Sequence, residues 1–137
     1  MNIRAWSLLV LFLATPSVVA ADEDKEAAAR RSALEWLDLV DRGEYEASWK
    51  EAAALFRSQV SAAKWESAVA SARQPLGAVV ERHFRSARYA RELPGAPDGE
   101  YVVLQFQTKF ANKSDAIETV TPAMDGGKWR VSGYYIR

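Results

Sequence analysis

Glu118 is the residue of this chain whose setting most clearly suggests chemistry. It lies in a segment, Ser114 to Met124, whose alternating pattern predicts a β-strand. Glu118 falls on the apolar side of that strand, where a carboxylate can serve as an acid or base near neutral pH if no cation compensates it. We therefore take Glu118 as the candidate catalytic residue. A structural interpretation competes with this one and we favour it: Glu118 pairs with Arg82 of the first strand and closes the cavity.

The face that carries Glu118 can be followed across neighbouring strands from hairpin geometry. Asp125-Gly126-Gly127 separates two strand patterns and predicts a hairpin whose two-residue turn is Asp125-Gly126 or Gly126-Gly127. Either turn leaves the same residues on each face, because side chains in a strand alternate with a period of two. The resulting face collects Leu104, Phe106, Thr108, Ala116, Glu118, Val120, Trp129, Val131, Gly133 and Tyr135.

The other reactive residue types narrow the classes of function. The chain has no cysteine and a single histidine, which excludes thiol catalysis, zinc-thiolate sites and a cluster of histidine ligands. That histidine, His83, shares its strand face with charged neighbours, which predicts a surface side chain. Basic and acidic residues number 18 each, so nucleic acid is not expected as a partner. We expect no metal and no cofactor.

Aromatic residues offer binding as the alternative to catalysis. Tryptophans and tyrosines recur on the predicted helices and strands, and they predict either a ligand pocket or simply the core. A small apolar or aromatic ligand would suit such a pocket. The ligand-binding candidates are Trp36, Trp49, Arg82, Phe106, Glu118 and Tyr135.

The N-terminal segment predicts export. Met1 to Arg4 carries a positive charge, Trp6 to Ala14 is an apolar run too short to cross a bilayer, and Val18 to Ala21 has the small residues of a cleavage region. We interpret residues 1–21 as a signal peptide and residues 22–137 as a single domain. The expected location is the periplasm or the outside of the cell, with no stable membrane anchor after cleavage.

The elements that position the candidate residues follow from periodicity. Helical spacing predicts three helices before any strand, at residues 26–41, from about residue 44 to 56, and from an N-cap at Ser61 to about residue 72. Four strands follow, at residues 79–91, 100–110, 114–124 and 128–136. The alternation of the first strand is broken, which predicts a bulge or a curved edge strand. The fold class is α+β, with three helices packed on a curved four-stranded antiparallel sheet.

Six segments of the chain also form a recognisable set: Trp36 to Asp41, Ser48-Trp49, Arg73 to Gly77, Leu93 to Tyr101, Glu118 to Thr121, and Trp129 to Tyr134. They resemble a bacterial family, domain of unknown function 4019, over residues 26–137. The resemblance implies a small exported bacterial domain with no established activity.

The order of the elements is similar to that of the nuclear transport factor two-like superfamily, which includes ketosteroid isomerase. This likeness implies a cone-shaped sheet with a cavity between helices and strands. It also implies a homodimer formed across the sheet face.

Two functions remain open at this point. The one we favour is a noncatalytic domain that binds a small ligand or a protein partner through the cavity or the sheet. The alternative is a small-molecule isomerase, hydratase or cyclase with Glu118 as base and Tyr135 or Arg82 as electrophilic helper, by fold-level analogy with ketosteroid isomerase. That alternative requires an open cavity around Glu118.

Overall fold

Helices come first along the chain and one sheet follows. The computed structural model describes residues 17–137. Its elements are α1 (Val18–Asp41), α2 (Tyr45–Glu51), α3 (Ala54–Gln59), α4 (Ala62–Arg73), a 3-10 turn (Gln74–Leu76), β1 (Val79–Ala90), β2 (Tyr101–Phe110), β3 (Lys113–Asp125) and β4 (Lys128–Ile136). The four strands are antiparallel neighbours in the order β1-β2-β3-β4. The predicted α+β class, helices packed on a four-stranded antiparallel sheet, is confirmed.

The predicted signal peptide lies mostly outside the described residues, which begin at Ser17. Its last part forms the cap and first turn of α1, where Ser17 Oγ accepts a hydrogen bond from the Ala20 amide at 3.3 Å. The helix begins before the predicted residue 26, because neither proline nor glycine interrupts Val18 to Lys25. Within residues 17–137, no helix has the length and hydropathy needed to cross a membrane.

Two residues close to the predicted cleavage bond fasten α1 to the sheet. Lys25 Nζ lies 2.9 Å from Glu100 Oε1, and the Tyr89 hydroxyl donates to the same oxygen at 2.9 Å. The hydrogen bonds from Lys25 and Tyr89 lower the pKa of Glu100. Glu26 accepts a hydrogen bond from the Tyr89 amide at 3.3 Å and so covers part of the open edge of β1.

The second predicted helix is divided into two. Ala52 and Ala53 are extended, so α2 ends at Glu51 and α3 begins only at Ala54. The reason is that the Ala53 amide donates to the Val131 carbonyl at 2.8 Å, and the Ala54 amide donates to a carboxylate of the β3–β4 turn at 2.8 Å. Both amides dock the segment on the hairpin instead of extending a helix. The described residues therefore hold four α-helices where the periodicity predicts three.

The third predicted helix is α4, and its predicted N-cap is confirmed. Ser61 Oγ accepts a hydrogen bond from the Lys64 amide at 3.3 Å. After the helix the chain turns at Gly77, where φ is +76° and an added Cβ would lie 3.0 Å from the Ala111 Cβ. Glycine is needed there for the backbone conformation and for the close approach of the β2–β3 loop.

β1 is an edge strand with bulges, as its broken alternation predicts. Its pairing with β2 shifts between Val79 and Glu81 and again between Phe84 and Ser86. Most of its residues are exposed, and the His83 side chain is 71% exposed, which confirms the prediction of a surface histidine.

The β3–β4 hairpin turns at Gly126-Gly127, one of the two predicted turns. Asp125 and Lys128 face each other across it. This turn keeps Trp129 and Val131 on the predicted inner face, and Val131 is only 1% exposed.

Further along β4, one residue is bulged. Pro122 pairs with Val131, and the residue before it in β3, Thr121, pairs with Gly133. Ser132 of β4 is therefore left without a direct partner. Proline has no amide to donate to a neighbouring strand, so an irregularity is expected beside Pro122 in an inner strand. The Ser132 hydroxyl donates to the Thr121 carbonyl at 2.8 Å.

The bulge exchanges the faces of the last residues of β4. Tyr134 pairs with Val120 and shares the inner face with Glu118. Tyr135 points to the opposite face and is 57% exposed. The predicted placement of Gly133 and Tyr135 beside Glu118 is wrong, because the bulge at Ser132 shifts the alternation of the later residues of β4 by one.

The hydrophobic core lies between the helices and the inner face of the sheet. Two tryptophans lie at its centre. The ring centroids of Trp36 and Trp65 are 5.7 Å apart. Both indoles donate to Ser48, at 2.8 Å to its carbonyl and 2.9 Å to its hydroxyl. The buried members of this cluster are Ala29, Ala33, Trp36, Leu37, Val40, Trp65, Val69, Val102, Leu104, Phe106, Val120 and Val131.

Candidate functional site

Six polar side chains meet at the inner face of the sheet. Each of the four strands contributes one, and the last residues of α1 and α4 contribute the other two. We call this cluster the Glu118 ring; its members are Asp41, Arg73, Arg82, Thr108, Glu118 and Tyr134.

Glu118 itself is fully buried, and both of its carboxylate oxygens accept hydrogen bonds. Arg82 Nε lies 2.8 Å from Oε1, and Arg82 Nη2 lies 3.2 Å from Oε2. The Thr108 hydroxyl donates to Oε1 and the Tyr134 hydroxyl donates to Oε2. The structural interpretation of Glu118, an ion pair with Arg82, is confirmed. A carboxylate enclosed by four donor contacts is not placed to take a proton from a substrate.

Asp41 connects the two arginines and completes the ring. Arg82 Nη1 lies 2.7 Å from Asp41 Oδ2, and Arg73 Nη2 lies 2.8 Å from Asp41 Oδ1. Arg73 Nη1 donates to the Tyr134 hydroxyl at 3.5 Å, and that hydroxyl leads back to Glu118. Two guanidinium groups are thus matched by two carboxylates, so the ring is formally neutral and its burial is compensated.

The ring also shifts the titration of its members. Burial favours a higher pKa for Asp41, but the hydrogen bonds and charges of Arg82 and Arg73 outweigh it and hold the pKa below the ordinary 3.8. Burial and then the charge of Glu118 raise the pKa of Tyr134 far above its ordinary 10.0. The Tyr134 hydroxyl therefore keeps its proton and remains a donor to Glu118.

Sequence reasoning missed three ring members, Asp41, Arg73 and Tyr134. The helices do carry a signal for the first two, because each continues a buried stripe by four residues: Asp41 follows Leu37, and Arg73 follows Val69. A charged residue at the next buried position of a helix end calls for a partner in the interior.

Four of the six ligand-binding candidates belong to the ring, the core or the outer face. Arg82 and Glu118 bind each other. Phe106 is 1% exposed and packs edge-on against Phe84, with ring centroids 6.1 Å apart. Tyr135 lies on the outer face, so it cannot assist Glu118.

The two tryptophan candidates have different surroundings. Trp49 is partly buried against the core and donates its indole N–H to the Val60 carbonyl at 2.8 Å. Trp36 is 4% exposed, and its remaining surface borders a cleft. The expected aromatic pocket is therefore mostly core.

That cleft lies between α1, α2 and β4, has a volume of about 490 Å³ and is open to solvent. We call it the α1–β4 cleft. Trp36 and Leu39 line it from α1, Ala47 from α2, and Trp129 and Val131 from β4. A volume of this size is within the range of small-molecule sites. Half of the ten lining residues are apolar and the rest are polar or charged. None of the Glu118 ring members lines this cleft.

The fold and the site together define a small α+β domain with a network of paired, mostly buried charges and a separate open cleft. Within residues 17–137, no group of three or more histidine and carboxylate side chains is placed to hold a metal ion.

The chain belongs to the family described as "Protein of unknown function (DUF4019)", which it matches over residues 32–134. The resemblance to this family is thereby confirmed, and all members of the Glu118 ring fall within the matched residues. A search of curated proteins found no match.

Glu118→Leu should lower the free energy of unfolding by about 3 to 5 kcal/mol, because it leaves the buried Arg82 with one carboxylate partner in place of two. Denaturant titration at neutral pH measures the change. The matched control is Glu46→Leu, since that carboxylate is 62% exposed and pairs with Lys50 at 3.1 Å; it should cost no more than about 0.5 kcal/mol. A loss below about 1 kcal/mol for Glu118→Leu would contradict a stabilising ring.

Tyr134→Phe should destabilise the protein by about 1 to 3 kcal/mol, because it removes a buried hydroxyl that donates to Glu118 and accepts from Arg73. Tyr135→Phe is the neighbouring control and should change stability by less than about 0.5 kcal/mol, since that side chain is exposed. Urea titration of both variants measures the difference. A larger cost for Tyr135→Phe would mean that β4 has no bulge at Ser132.

Asp41 should make stability depend on acid pH. Its pKa is lower in the folded chain than the ordinary 3.8, so the stability it contributes is fully present above that value and is lost as the pH falls below it. Between about pH 4 and pH 2, the wild-type protein should therefore lose stability more steeply than Asp41→Asn.

Urea titrations at several pH values measure these two slopes. Asp38→Asn is the control, because that carboxylate is 63% exposed and lies outside the ring; it should keep the wild-type slope. Equal slopes for wild type and Asp41→Asn would show that the ion pairs of Asp41 with Arg73 and Arg82 do not stabilise the folded chain.

Proposed function

We propose that this protein is an exported, noncatalytic binding domain whose ligand site is the α1–β4 cleft. The observation that carries the proposal is the cleft itself: about 490 Å³, lined by Trp36 and Trp129, and formed by two helices and the edge strand of the sheet. Aromatic walls around a concave site favour a small ligand with an apolar or aromatic part.

The Glu118 ring supports a noncatalytic function. An isomerase or hydratase would need a base within reach of its substrate. Glu118 is 0% exposed and already accepts hydrogen bonds from Arg82, Thr108 and Tyr134. The arrangement stabilises the fold and leaves the proposed binding to the cleft.

Export is part of the same proposal. It is supported by the charged start, the apolar run and the small residues of the segment Met1 to Ala21. We also propose that the sheet is a cone of the nuclear transport factor two-like kind. Pairing with a second copy through the outer face, where Tyr135 is 57% exposed, belongs with that proposal.

Fragment binding tests where ligands go. We expect small aromatic and apolar fragments to shift the backbone amide resonances of Ser32, Trp129 and Val131 in the protein as isolated. Trp129→Leu should weaken their binding by about 3- to 10-fold, because it removes an aromatic wall while keeping apolar bulk.

The control for the fragment test is Tyr135→Leu, which removes an exposed aromatic ring of the outer face and should leave binding unchanged. Circular dichroism checks that both variants keep the fold. The proposal would fail if fragments bound Trp129→Leu as tightly as wild type. It would also fail if a turnover were found that Glu118→Gln abolishes.

A further inference from the structure

The walls of the α1–β4 cleft carry opposite charges. Glu35 of α1 and Glu51 of α2 stand on the helical side, and Lys128 and Arg130 stand on the strand side. The base between them is apolar. A molecule in the cleft therefore meets carboxylates on one side and cations on the other.

On each side of the cleft, one of the two charged residues has an ion-pair partner within residues 17–137, and these two residues pair with each other. Arg130 Nη1 lies 3.7 Å from Glu51 Oε2, in a pair whose side chains are 30% and 66% exposed. Glu35 and Lys128 form no salt bridge within residues 17–137. One carboxylate and one ammonium group of the cleft lining thus have no ion-pair partner within the described residues.

The backbone of β4 at this place does not offer a docking edge. The Ser32 hydroxyl donates to the Trp129 carbonyl, and the Ala53 amide donates to the Val131 carbonyl at 2.8 Å. A partner that adds a strand to a sheet needs such edge groups to be open. These two carbonyls are already occupied, which leaves side-chain charges and apolar contact as the main means of recognition in the cleft.

We infer that the cleft takes a small zwitterionic molecule with an apolar or aromatic body, of the chemical class of a dipeptide. The ligand's ammonium group pairs with Glu35, its carboxylate pairs with Lys128, and its body lies against Trp36, Leu39 and Trp129. This inference rests on the proposed function, because it assigns a ligand class to the same cleft.

The test uses three probes, the dipeptide Ala-Phe, its N-acetyl form without an ammonium group, and its C-terminal amide without a carboxylate. Isothermal titration at low salt should show Ala-Phe binding about 2- to 5-fold more tightly than either derivative, as expected for single exposed charge pairs. Glu35→Gln should remove the advantage over the acetyl form only. Lys128→Gln should remove the advantage over the amide only.

Matched controls come from the exposed pair Glu46 and Lys50 on α2, whose side chains are 62% and 64% exposed. Glu46→Gln and Lys50→Gln should bind Ala-Phe as wild type does. Equal binding of the three probes, or no binding of Ala-Phe, would overturn the inference that the ligand is zwitterionic. If aromatic fragments still require Trp129 for binding in that case, the cleft remains the proposed ligand site and only the zwitterionic ligand class is rejected. If they do not, the proposed function fails as well.

Discussion

The closed and neutral Glu118 ring is the constraint on which the rest of the structure depends. Glu118 and most of the two guanidinium groups can be buried here because each finds its counter-charge inside the protein. Every strand supplies one member, and α1 and α4 each end on one. The register of the sheet and the ends of these helices are therefore coupled, since moving any of them would leave a charge or a hydroxyl unpaired in the interior.

Those features that depend on local pattern could be predicted from the sequence. The strands follow from alternation, and the need of Glu118 for a cationic partner follows because a lone carboxylate on an apolar face requires one. The features that depend on distant partners could not be predicted so. The break at Ala52-Ala53 exists for acceptors on the hairpin, one of them 71 residues away. Tyr134, and not Tyr135, lies on the inner face because β4 is bulged opposite Pro122. The only sequence signal for that bulge is the missing amide of the proline.

Polar groups are thus distributed between two places with opposite properties. In the ring every formal charge is matched within the protein, so the ring stabilises the fold. In the α1–β4 cleft the charges are exposed and incompletely matched, and they surround apolar surface. This division explains why the most conspicuous carboxylate of the sequence is a structural residue. The side chains to which we assign ligand binding look ordinary in the sequence.

The ring also bears on how long the folded state lasts. Its contacts join residues far apart in the chain: Arg82 and Asp41 are separated by 41 in sequence, and Arg73 and Tyr134 by 61. Contacts that close such long loops tend to form late in folding. Interactions absent from the transition state slow unfolding more than they speed folding. We therefore expect the ring to lengthen the lifetime of the native state, which is the quantity that governs survival when proteolysis outpaces refolding.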